Sequence, residues 1–140
     1  MQKTYANEKS GTGITNMERV KETRRIHVNA GRLWKATGDF GSVGQWHPLL
    51  RNVKSEGNAA GALRIAHGTD GSEQWERLEE YDAGARRYRY AMEKTTLPVR
   101  DYHGEFRVSE EGNEKSLVEW SAQFRVTGTD GGASEKCRHF

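Results

Sequence analysis

From Leu49 to Val126 the chain alternates short, half-apolar segments with clusters of turn-forming residues, and this rhythm restricts the fold more than any other feature. Leu49–Ser55 and Ala62–His67 are separated by Glu56, Gly57 and Asn58. The stretch His67–Gly71 then makes a tight Asp-Gly connection to a third segment, Glu73–Asp82. Asp82, Ala83 and Gly84 lead into Arg86–Lys94, and Arg100–Ser109 is joined to Lys115–Val126 around Glu111, Gly112 and Asn113. Alternation with period two, punctuated by Gly, Asp and Asn, is the mark of strands. Links this short suit hairpins, not crossovers, so the six segments read as an antiparallel meander.

Upstream the pattern changes. Val20, Ile26 and Val28 share one parity with Glu22 and Arg24, and the other parity is polar, which reads as a half-buried strand with two interruptions. Asn29 is placed to cap a helix over Ala30–Thr37 that Gly38 ends. A second helical turn, Phe40–Trp46, is stopped by Pro48, whose ring pushes His47 out of the helical region. One strand, two short helices and six strands make an α+β domain over residues 17–128. Residues 1–16 are polar and aperiodic and read as a mobile tail, with Met17 as a second candidate start. Residues 129–140 read as an irregular tail.

Composition narrows the function. A chain of 140 residues, 34% hydrophobic and 30% charged, is one rather polar domain. A net charge of +2 argues for neither nucleic acid nor an anionic membrane. The basic-aromatic run Ala85–Tyr90, ARRYRY, does not change this, because period two puts its arginines and tyrosines on opposite faces, whereas base stacking wants them on one surface. The lone Cys137 has no disulfide partner, and no apolar run approaches the length of a membrane span, so the expected setting is cytoplasmic. His27, His47, His67, His103 and His139 have no ligand spacing with one another or with Cys137. No phosphate loop or nucleophile motif is present, and no cofactor or metal is expected.

Three blocks in order, LWKATGDFGSVGQWHPLL, ERLEEYDAGARRYRYAMEKTTLPVRDYHGEFRV and VEWSAQF, resemble the bacterial polyketide cyclase/dehydrase branch of the START-like, or SRPBCC, superfamily over roughly Val20 to Gly128. The resemblance implies a helix-grip fold, in which a curved antiparallel sheet wraps a long C-terminal helix and leaves a cavity for an apolar ligand. The stretch after Val126, TGTDGGASEKCRHF, is too rich in Gly and too poor in apolar residues for that helix, which is therefore expected to be missing.

The candidate site follows from strand parity and from the resemblance. Parity groups Glu76 with Leu78 and sets Tyr88, Tyr90 and Met92 against Arg87, Arg89 and Ala91. With Leu63, Ile65 and Phe106 these residues are expected to form a concave apolar wall with hydroxyl tips, suited to a flat, partly oxygenated molecule. A sheet core with the same tyrosines is the plainer alternative. A more distant likeness to the plant abscisic acid receptors implies that Glu76 holds a water, that Tyr102 lines the pocket and that His47 stands where a carboxylate-binding lysine would. It also implies a gate at His67–Gly71, a latch at Leu97, Pro98 and Val99, and a pocket role for Glu119 that parity opposes. Three functions are compatible: a carrier or sensor of a small hydrophobic molecule, a cyclase/dehydratase using Glu76, His47 and Tyr102 as acid/base groups, or a noncatalytic interaction module. An uncovered groove would also attract a second copy of the chain.

Overall fold

The hairpin rhythm produces an uninterrupted run of antiparallel strands. The computed structural model describes residues 2–9 and 16–127. Its elements are β1 (Gln2–Lys9), β2 (Asn16–Ile26), α1 (Ala30–Thr37), a 3-10 turn (Phe40–Ser42), α2 (Val43–Trp46), β3 (Leu50–Ser55), β4 (Leu63–Gly68), β5 (Glu73–Asp82), β6 (Arg87–Thr95), β7 (Val99–Glu110) and β8 (Ser116–Val126). They form one eight-stranded sheet in the order β1-β2-β8-β7-β6-β5-β4-β3. Every neighbouring pair is antiparallel.

Each helix begins and ends for a local reason. The Asn29 Oδ1 accepts from the N–H groups of Gly31 and Arg32 at 2.9 and 3.3 Å, capping α1, while its Nδ2 donates to the Asn113 carbonyl at 2.9 Å. This ties the helix start to the β7–β8 turn. Gly38 closes α1 where a Cβ would sit 2.5 Å from the Trp34 ring, so no larger residue fits there without moving the indole. His47 ends α2 in extended backbone, φ −89° and ψ 120°, as a residue before proline should.

The inward face of the sheet carries Leu78, Tyr88, Tyr90, Tyr102, Phe106, Val108, Ala122 and Phe124, all buried, with Ala30 and Phe40 from the helical segment packed against them. Gly104 lies opposite Tyr90 and leaves room for its ring. The Tyr90 hydroxyl accepts from the Trp120 Nε1–H at 2.8 Å.

Two expectations meet different outcomes at the termini. Within the stretch read as a mobile tail, Gln2–Lys9 forms β1, paired with β2 from Gln2 opposite Thr23 to Lys9 opposite Asn16. An edge strand is recruited by main-chain hydrogen bonds, which need no apolar alternation to announce them. The expected loss of the C-terminal helix and the irregular tail over residues 129–140 fall outside the described residues.

Candidate functional site

The residue that organises the inward face is Arg64. Strand β4 has the burial order that puts Arg64, Ala66 and Gly68 inward, and Arg64 stands opposite Glu76 in the β4–β5 ladder. Leu63 and Ile65, expected on the concave wall, face outward opposite Arg77 and Trp75. The guanidinium is 1% exposed and donates to the Glu76 Oε1 from Nη2 at 2.9 Å and from Nε at 3.0 Å. Its Nη1 donates to the Phe40 carbonyl at 2.8 Å and to the Tyr88 hydroxyl at 3.2 Å. The plane lies 4.0 Å from the centre of the Phe40 ring. Burial alone would lower the pKa of Arg64, but the Glu76 carboxylate and the Tyr88 and Tyr90 oxygens outweigh it and hold the pKa above the ordinary range. The same burial pushes the Tyr88 phenol up, against the pull of Arg64, and the Tyr90 phenol well up.

Glu76 is therefore inward, as parity predicts, but its carboxylate is committed to an ion pair. Leu78, Tyr88 and Tyr90 are also inward, and they are closed into the core at 1%, 0% and 0% exposure. Met92 packs against the edge of that cluster. Tyr102 is buried with its ring stacked on Phe124 at 5.5 Å. Leu97 and Val99 are tucked into the core, and the Pro98 carbonyl accepts from the Thr127 N–H at 2.9 Å, which fastens this turn to the end of β8. The His67–Gly71 turn is fastened too, through the Thr69 N–H to the Leu49 carbonyl at 2.9 Å. Glu119 faces outward beside Lys21 at 3.7 Å, in agreement with parity.

Open space lies one strand further along the sheet. A groove of about 540 Å³ runs between β2 and β8 on one side and the helical segment on the other, with apolar walls from Leu33, Trp46, Phe106, Val118 and Trp120. Glu22 and Arg24 border it, and this explains the two interruptions in β2: both positions face a groove and not a closed core. Trp46, Phe106 and Trp120 form a connected aromatic surface, with Trp46 centred 5.3 Å from Phe106 and 5.4 Å from Trp120. The Trp46 indole N–H is buried without a hydrogen-bond partner among the described residues.

His47 belongs to this groove. Its ring meets Trp120 edge-on at 5.2 Å. Its Nδ1 accepts from the Leu49 N–H at 3.2 Å, so a neutral imidazole carries its proton on Nε2. His47 and Trp120 also border a small void of about 10 Å³ that Arg64, Gln74 and Glu76 line from the other side. Of the residues singled out from sequence, His47 and Phe106 line the groove and His47 and Glu76 line the void. Sequence reasoning missed Arg64, Gln74, Trp46 and Trp120 as wall residues. Among the described residues no group of His, Cys, Asp and Glu could hold a metal ion, and no helix is long and apolar enough to cross a membrane.

A curved antiparallel sheet with two short helices following the β2 strand, and a groove between them, defines a protein of the helix-grip class. The chain belongs to the family described as polyketide cyclase/dehydrase and lipid transport, whose model matches residues 17–137. Among solved structures it is similar to a protein of Bacillus thuringiensis, with 28% identity, a TM-score of 0.75, and coverage of 85% of this chain and 87% of that one. The Zhui aromatase/cyclase of a Streptomyces species shares the fold at 19% identity and a TM-score of 0.69, covering 83% of this chain and 73% of that one. Norcoclaurine synthase of Thalictrum flavum, solved with dopamine and hydroxybenzaldehyde, shares it at 14% identity and a TM-score of 0.64, covering 81% and 72%. No curated protein matches the chain.

Proposed function

We propose that the chain binds a small hydrophobic, polyketide-like molecule in the groove between β2, β8 and the helical segment. The observation that carries this reading is the apolar groove of about 540 Å³, with Trp46, Phe106 and Trp120 forming its aromatic wall. A volume in this range suits a small molecule, and flat rings gain most from such a wall. Family membership supports the reading, as do fold relatives whose names describe chemistry on aromatic compounds. A cyclase/dehydratase activity is the second reading, favoured by His47 at the groove. The other two acid/base candidates fit it less well, because Glu76 is held by Arg64 and Tyr102 is packed in the core.

Calorimetric titration with 2-methylnaphthalene tests the binding reading. One saturable site is expected. Val118→Glu, which puts a charge in the groove, should weaken binding at least about tenfold. Lys21→Glu on the outward face should leave it unchanged. Equal weakening by both variants would refute the assignment of the groove.

A further inference from the structure

Gln74 lies on β5 two residues before Glu76, facing inward at 1% exposure. Among the described residues neither its amide oxygen nor its amide nitrogen has a hydrogen-bond partner. Buried amides are nearly always bonded at both ends, because leaving either end dry forfeits the hydration it had in the unfolded chain. The group that completes Gln74 must therefore come from outside the chain's own described residues. The void beside it, about 10 Å³, has room for about one water-sized group.

The charge around that void decides what it accepts. Arg64 and Glu76 line it and already neutralise each other at 2.9 Å. A further ammonium would be an unpaired buried charge, and a carboxylate could be offset only by a protonated His47, whose Nδ1 would then lose the hydrogen bond it accepts from the Leu49 N–H. The unpaired amide offers one acceptor and donor hydrogens, so the best match is a neutral group that both donates and accepts. A hydroxyl does this with a single heavy atom. Two walls of the void, His47 and Trp120, are also walls of the apolar groove. The groove and the void thus adjoin at His47 and Trp120, whose edge-on contact at 5.2 Å must part for the end of a ligand in the groove to reach Gln74.

We propose that Gln74 is a specificity-determining residue of the groove, receiving the terminal hydroxyl of a flat apolar ligand, a phenol or an alcohol. The inference rests on the groove as the binding site and names the chemistry of the ligand's buried end.

Calorimetry on the full chain tests this with two probes, 2-naphthol and 2-methylnaphthalene, which match in size and differ in the hydroxyl. Gln74→Met keeps the side-chain length without the amide. It should weaken 2-naphthol roughly tenfold, the usual range for one buried hydrogen bond, and leave 2-methylnaphthalene within about twofold. Equal effects on both probes, or none on either, would overturn the role of Gln74 while leaving the groove intact. Failure of the native chain to bind either probe would overturn the groove reading and this subsite with it. Should Gln74→Met not fold, the native chain decides through 2-methoxynaphthalene, whose ether cannot donate and is larger. A preference for 2-naphthol of about tenfold or more supports the subsite, and equal binding overturns it.

Discussion

Replacing Arg64 by Met should be among the most damaging single substitutions in the inward face. The guanidinium is 1% exposed and makes two contacts to the Glu76 Oε1, one to the Phe40 carbonyl and one to the Tyr88 hydroxyl. Methionine fills much of the volume but leaves the Glu76 carboxylate buried without its partner. Removing one member of a buried pair costs about 3–5 kcal/mol, which in a domain of this size lowers Tm by roughly 10–15 °C. Removing both charges restores balance, so Arg64→Met with Glu76→Met should recover a large part of the loss. Urea unfolding of the native chain, both single variants and the double variant gives the coupling directly. The expected coupling is about 2 kcal/mol or more. Additive losses, or an Arg64→Met loss below about 1 kcal/mol, would refute the view that the pair is closed off from water.

Tyr90→Phe removes the acceptor of the Trp120 indole N–H and should cost about 1–2 kcal/mol by urea unfolding; an unchanged midpoint would show that the indole finds another partner. Asn29→Ala deletes the cap of α1 and its tie to Asn113, and a loss of about 1 kcal/mol is expected, with Asn29→Asp keeping the cap and losing only the tie. Burial holds the Tyr88 and Tyr90 phenols above the ordinary value of 10.0, so above that pH the unfolded chain binds fewer protons than the folded one and stability should fall as pH rises. Stability that stays level from pH 9 to 11 would contradict this.

The meander, the two short helices and the Pro48 corner were legible because each rests on local chemistry: turn residues, an Asn cap and a proline. Parity also placed Glu76, Leu78, Tyr88, Tyr90 and Phe106 inward. It failed on β4 because Leu63 and Ile65 are the apolar residues of that strand, and hydrophobicity alone assigns them to the core. Register carries the missing information. Gly68 is bonded across the turn to Ser72, and counting outward from that pair sets Ala66 against Gln74 and Arg64 against Glu76. With Glu76 inward, Arg64 had to be inward too. The same step would have exposed the ion pair that commits Glu76. The groove was harder to see, because its walls come from α1, α2, β2, β7 and β8, which meet only in the folded sheet. Glu22 and Arg24 looked like flaws in a strand and instead mark where the sheet borders the groove.

By the proposed reading the groove beside Trp46 and Trp120, and not the tyrosine cluster of the sheet, receives the ligand. Chemical-shift mapping of the isotope-labelled chain with 2-methylnaphthalene tests it most directly. Saturable shifts are expected at the Trp46 and Trp120 indole N–H signals, the Leu33 and Val118 methyl groups and the His47 ring, with little change at Lys21, Arg89 and Gln123 on the outward face. Shifts centred on that outward face, or no saturable shifts at the groove, would contradict it.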